Sequence, residues 1–154
     1  VGSYTVAAVL GLFENQNVAI LFSEIIKDNN SPVDRSGRAV LKFSKGTIAY
    51  LEWGTGVAYK NDIDLWAENG SFYTDKIFSK PENYLPIYRI RNKYGDETIL
   101  KGEQSEQFRE MFSVFSNISN SIDQTYEEYK RIYRRAQVMD EILKFSQKNK
   151  LTSR

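Results

Sequence analysis

Asn69-Gly70 separates two runs in which apolar and polar residues alternate, and no other pair in the chain narrows its fold as much. Both residues tolerate φ > 0, which a two-residue type I′ turn demands, so residues 60–68 and 71–75 are predicted to pair as a β-hairpin. In the first run Ile63, Leu65 and Ala67 fall on one face, and Asp62, Asp64, Trp66 and Glu68 on the other. Ser44-Lys45-Gly46 provides a second tight turn, between residues 38–44 and 47–53. Ala39, Leu41 and Phe43 there face one side, and Arg38, Val40 and Lys42 the other. Residues 18–26, 85–93 and, beyond Gly95-Asp96, 97–100 read as further strands. Residues 29–34 read as a loop in which Pro32 lacks a ladder donor. The middle of the chain is therefore expected to be an antiparallel sheet.

Helical spacing frames that sheet. Val6, Val9, Leu10 and Phe13 make one apolar stripe, with Ser3 as the expected N-cap and Asn15 and Asn17 as stops. Phe108, Met111, Phe112, Phe115 and Ile118 make a second behind Ser105 as cap. A third helix is expected to begin at a Thr125 to Glu128 capping box and to bury Tyr129, Ile132, Tyr133, Ala136, Met139 and Leu143. Helices at both ends of an antiparallel sheet pack most simply on one of its faces, which predicts a two-layer α+β fold. With 154 residues, 41% of them hydrophobic, the chain suits a single domain over residues 1–154. Val40, Ile48, Tyr50, Trp66, Tyr88 and Ile90 exceed what one covered face needs, so the other face is expected to be free for homo-oligomerisation.

Composition removes several kinds of chemistry. The chain has no Cys and no His, which excludes thiolate zinc sites and His-based triads. Lys and Arg number 21 against 20 Asp and Glu, so no net field recruits nucleic acid or an anionic membrane. No apolar run approaches the ~18 residues of a membrane span, and a cytoplasmic protein is expected. No metal site is expected either: Asp62, Asp64 and Glu68 fit a solvated strand face better than a cation site, there being no second ligand cluster. The basic run 130–135, preceded by Glu127 and Glu128, reads as a salt-bridged outer helix face.

Two places remain as candidates. Tyr4 sits in the first turn of a helix, among free backbone N–H groups and near the positive dipole end, a setting suited to proton transfer with a substrate oxygen. Position alone describes a Tyr covering a helix end better than it does a proton donor. Trp53, with the Gly54-Thr55-Gly56 stretch and Tyr59, Lys60 and Asn61, joins an aromatic platform to polar groups outside two strands, a combination able to grip a sugar or nucleotide. Its glycines match no phosphate-binding fingerprint.

Together, "GSYTVAAVLGLF", "GRAVLKFSKGTIAYLEWGTGVAYKNDIDLWAENGSFYTDKIFSKP", "EQFREMFSVF" and "YEEYKRIYRRAQVMDEI" resemble the C-terminal domain of the Gfo/Idh/MocA oxidoreductases. Within that family the likeness is to ketoreductases acting on NDP-3-keto-hexoses, and it covers nearly the whole chain. It implies the C-terminal sheet domain of the glyceraldehyde-3-phosphate-dehydrogenase-like type, which forms one active-site wall and often the dimer interface. It further implies hydride transfer between NAD or NADP and a sugar carbon, the dinucleotide being bound mainly by an N-terminal Rossmann domain. The family handles the proton with a Lys of an E-K-P motif and the His or Tyr of a D-x-x-x-[HY] motif. Tyr4 falls on the second of these positions, and the motif's Asp would immediately precede Val1. Neither E-K-P nor a glycine-rich cofactor turn occurs in the chain. The expectation is thus a fragment, inactive and without cofactor by itself, of an oxidoreductase acting on a sugar or sugar nucleotide. Trp53, Tyr59, Lys60 and Asn61 would be its substrate contacts and Tyr4 its proton donor. A non-catalytic dimerisation or ligand-binding module derived from the same domain is the alternative.

Overall fold

The computed structural model describes residues 2–28 and 31–152, so Val1 and the Asn29-Asn30 part of the expected loop lie outside the described residues. The elements follow the order α1 (Gly2–Leu12), β1 (Val18–Lys27), β2 (Asp34–Phe43), β3 (Ile48–Gly54), β4 (Asp62–Ala67), β5 (Gly70–Asp75), β6 (Ile87–Asn92), β7 (Glu97–Lys101), α2 (Gln107–Ser119) and α3 (Ile122–Thr152). All strand pairings are antiparallel, as the turns predict. The strands form two sheets, however, ordered β1-β2-β3 and β4-β5-β6-β7. No tight turn joins β3 to β4. Residues 55–61 lie between them, with Gly56 at φ 71°, and the two strands do not pair. The chain correspondingly divides into two compact units, residues 1–57 with 125–154, and residues 58–124.

In the first unit the core lies on one face of the three-stranded sheet. Ala39, Leu41, Phe43, Leu51 and Trp53 point into it, joined by Val6, Val9 and Leu10 of α1 and Val138 and Ile142 of α3. Phe43 is fully buried, and its ring meets that of Phe13 at a centroid distance of 4.7 Å. Along β1 the inward residues are Val18 and Ile20, then Ser23 and Ile25, a change of parity that period-2 reading does not anticipate. The register shift between Ile20 and Phe22 accounts for it, because one extra residue in a bulge turns the following side chains over. Two buried hydroxyls then tie α3 to β1. Ser23 Oγ donates to the Ile142 carbonyl at 2.6 Å, and the Ile25 N–H donates to Ser146 Oγ at 3.0 Å.

Several local expectations are corrected. α1 is already helical at Gly2, so Ser3 lies inside its first turn. Glu106 rather than Ser105 precedes α2, without a side-chain cap. α3 begins three residues before Thr125, and the Gln124 N–H donates to Ser121 Oγ at 3.4 Å. Its buried stripe is Val138, Ile142 and Ser146 with Leu143 beside them, whereas Tyr129 and Tyr133 are exposed. A 31-residue helix spans roughly 46 Å, longer than any strand of that sheet, so only its C-terminal part has apolar surface to cover.

The β4–β5 turn also differs from the expected one. Ala67 pairs with Gly70, so Glu68 and Asn69 are the turn residues and Gly70 opens β5. Gly70 is required there for two reasons: its φ is 152°, and a Cβ would lie 2.1 Å from the Arg91 carbonyl oxygen on β6. In this second unit Ile63, Leu65, Phe72, Tyr88, Ile90 and Leu100 share one face by register. Trp66, 94% exposed, lies on the other, so it does not join Tyr88 and Ile90. α2 has no buried residue, and Phe108, Met111, Phe112 and Phe115 are all exposed.

Candidate functional site

Tyr4 projects from the first turn of α1 and is 59% exposed. Beneath it the turn is closed by Thr5 Oγ1, which donates to the Gly2 carbonyl at 2.9 Å. Trp53, expected as an open platform, is buried at the end of β3, with its indole N–H donating to Asp34 Oδ2 at 2.6 Å. Trp53 therefore packs, and its polar edge is already occupied by a carboxylate. Asp34 is nineteen positions away in sequence, and nothing local to either residue announces the pair.

Tyr59, Lys60 and Asn61 belong to the second unit, just ahead of β4. Tyr59 and Lys60 are exposed; Lys60 Nζ approaches Asp62 at 3.9 Å. Asn61 is an organising residue. Its Oδ1 accepts from the Phe78 N–H at 3.1 Å, its Nδ2 donates to Tyr59 Oη at 2.9 Å and to the Ser79 carbonyl at 3.3 Å, and its own carbonyl accepts from the Lys76 N–H. Tyr59 Oη also donates to the Ser79 carbonyl, at 3.2 Å. The side chains of Tyr59 and Asn61 thus shape residues 76–79, and Lys60 is left as the more open cation beside them.

The same loop carries groups that sequence reading passed over. Lys76 has φ 54°, a strained value for a residue with a Cβ, and its Nζ sits 3.9 Å from the centre of the Tyr84 ring. Tyr84 Oη donates to Asp75 Oδ1, and that hydrogen bond, with burial and the Asp75 charge adding to it, raises the Tyr84 phenol above its ordinary 10.0. A proton held more tightly in the folded state stabilises the fold fully below that ordinary value, and the contribution is lost as pH rises through the folded-state value. The difference in Tm between the protein and its Tyr84→Phe variant is therefore expected to shrink above pH 10.0. Thermal melts across alkaline pH check this; a difference that stays constant would contradict it. The signal in the sequence was slight, two polar residues nine apart around a proline-containing loop.

Elsewhere charged groups of α3 pair within the helix and with the turn after α1. Lys130 meets Glu127 at 2.8 Å, Arg131 meets Glu14 at 2.6 Å and Glu128 at 3.4 Å, and Arg134 donates to the carbonyls of Glu14 and Gln16. The basic run thereby clamps α3 to the turn that follows α1. Among the described residues no cluster of three or more acidic side chains is placed to hold a metal ion, and no helix is long and apolar enough to cross a membrane.

The fold so defined is α+β, with antiparallel sheets and three helices. It is shared by solved structures of KijD10, a 3-ketoreductase from Actinomadura kijaniata. The form with TDP-benzene and NADP superposes with a TM-score of 0.84 at 21% identity, over 94% of this chain and 45% of that one. A form with NADP gives 0.83 at 22% identity, with the same coverage. In sequence, the chain is similar to dTDP-3,4-didehydro-2,6-dideoxy-alpha-D-glucose 3-reductase of Saccharopolyspora spinosa, 32% identical over 87 residues, 56% of this chain and 26% of the relative. The enzyme of the same description from Actinomadura kijaniata is 23% identical over 143 residues, 92% of this chain and 42% of the relative. The chain thus spans less than half the length of these relatives. No family model matches it.

Proposed function

We propose that this chain is one part of a longer NADP-dependent oxidoreductase of the Gfo/Idh/MocA type, which reduces the 3-keto group of a nucleoside-diphosphate-linked deoxyhexose. The observation that carries the reading is the joint likeness, in sequence and in fold, to 3-ketoreductases of dTDP-sugars. No described strand runs into a glycine-rich turn at a helix N-terminus, the arrangement that holds a dinucleotide pyrophosphate. The dinucleotide would accordingly be held mainly outside the described residues.

What this chain contributes is a proton and contacts. Tyr4 is the proposed donor, its exposed phenol delivering a proton to the carbonyl oxygen as that oxygen becomes an alcohol. In the second unit Tyr59 and Lys60 are proposed to meet the sugar nucleotide, with Asn61 holding their surroundings in shape. Trp53 acts from below the surface. A homo-oligomer formed through open sheet faces belongs to the same reading, supported by the exposed Phe22 and Tyr50, which flank Val40 in one cross-strand row. So does a cytoplasmic setting.

The test is turnover by the full-length parent. With NADPH and a dTDP-linked 3-keto-deoxyhexose, loss of the NADPH absorbance should require both substrates. A parent that binds the sugar nucleotide yet consumes no NADPH would instead be a ligand-binding module.

A further inference from the structure

Trp53 lies close against two glycines, one of them two residues before Tyr4. A Cβ added to Gly37 on β2 would stand 2.3 Å from the Trp53 ring, and one added to Gly2 on α1 would stand 2.8 Å from it. Only bare backbone at both positions admits the ring, which is therefore in direct contact with β2 and with the opening turn of α1. The remaining freedom of a ring in such a slot is to tilt or turn within it. Asp34 removes that freedom, because the 2.6 Å bond from the indole N–H to a carboxylate is charge-assisted and directional.

We infer that the Trp53–Asp34 pair is a positioning device for Tyr4. The inference rests on the donor reading of Tyr4 given above. The ring is the floor under Gly2, and Thr5 Oγ1 bonds the Gly2 carbonyl, so the height and rotation of the first turn follow the ring. Tyr4 leaves that turn, and the place its hydroxyl reaches is fixed from below. Without Asp34 the buried indole N–H would lose its partner, and the ring would shift to find another.

The experiment is a double-mutant cycle in the full-length parent. Asp34→Ala is expected to lower kcat by about tenfold with KM essentially unchanged, since displacements of about an ångström already cost this much or more. Asp34→Asn, which keeps an accepting oxygen, should restore most of kcat. In a Tyr4→Phe background Asp34→Ala should produce no further loss. If Asp34→Ala costs the same factor with or without the Tyr4 hydroxyl, or changes KM alone, the positioning role is overturned while the donor reading stands. If Tyr4→Phe itself leaves kcat untouched, the donor reading falls first and this inference with it. Gly2→Ala, which lifts the turn off the ring without touching β2, gives a second arm with the same expected non-additivity should Asp34→Ala fold poorly.

Discussion

Tyr4→Phe in the full-length parent is expected to lower kcat by roughly 100-fold, the lower end of what a positioned general acid supplies. The substitution deletes one oxygen and keeps the ring. Because the side chain is 59% exposed, stability should change by no more than about 0.5 kcal/mol. KM for the sugar nucleotide and the affinity for NADPH should hardly move, because the lost interaction matters when the carbonyl oxygen gains its proton rather than in the ground state. Steady-state kinetics together with a cofactor titration separate these quantities. A variant with wild-type kcat would remove Tyr4 from the chemistry, and one with weakened cofactor binding would mark it as a binding residue.

Phe43→Ala is expected to destabilise the first unit by about 3–5 kcal/mol, the usual cost of truncating a fully buried aromatic. Phe43 is 0% exposed at the end of β2, against the ring of Phe13 in the segment that follows α1. The cavity would open where that segment, the sheet and its hairpin turn meet, since the Phe43 N–H also donates to the Thr47 carbonyl at 2.8 Å. Folded domains have only about 5–15 kcal/mol in reserve, so the loss should be evident as a large drop in the denaturant midpoint. Tyr50→Ala is the control. Tyr50 is on the opposite face of the same sheet and 80% exposed, so its removal should change stability by no more than about 0.5 kcal/mol. Comparable losses in the two variants would mean that the outer face is covered as thoroughly as the inner one.

What could be read in advance divides along physical lines. Alternation in 38–44 gave the inward set Ala39, Leu41 and Phe43 correctly, because a strand's side-chain period needs no information from elsewhere in the chain. The same rule failed across β1, where a bulge adds one residue and reverses the parity. The helical stripe of α3 was read too early in the sequence. Period 3.6 says which residues share a face, but not how far along the helix that face finds something to cover. At Asn69-Gly70 the dipeptide located the hairpin while the register moved its turn by one residue.

The candidate site divides in the same way. The positions of Tyr4 in a first helical turn and of residues 59–61 just ahead of a strand were legible, because those signals are local. The place of Trp53 was not, since it depends on Gly2 and Gly37 lying close against its ring and on Asp34 reaching its N–H. Nor does the local sequence show that the Asn61 amide is engaged by Phe78 and Ser79, seventeen and eighteen positions away.

By itself the sequence determined the element types, their order, the antiparallel hairpins and the place of a Tyr at a helix start, all set by interactions between residues close in the chain. Only the tertiary structure decided that the strands divide into two sheets, which apolar faces are covered, and that Trp53 lies beneath the helix bearing Tyr4. Those outcomes depend on contacts between residues tens of positions apart, where steric fit rather than local preference selects the arrangement.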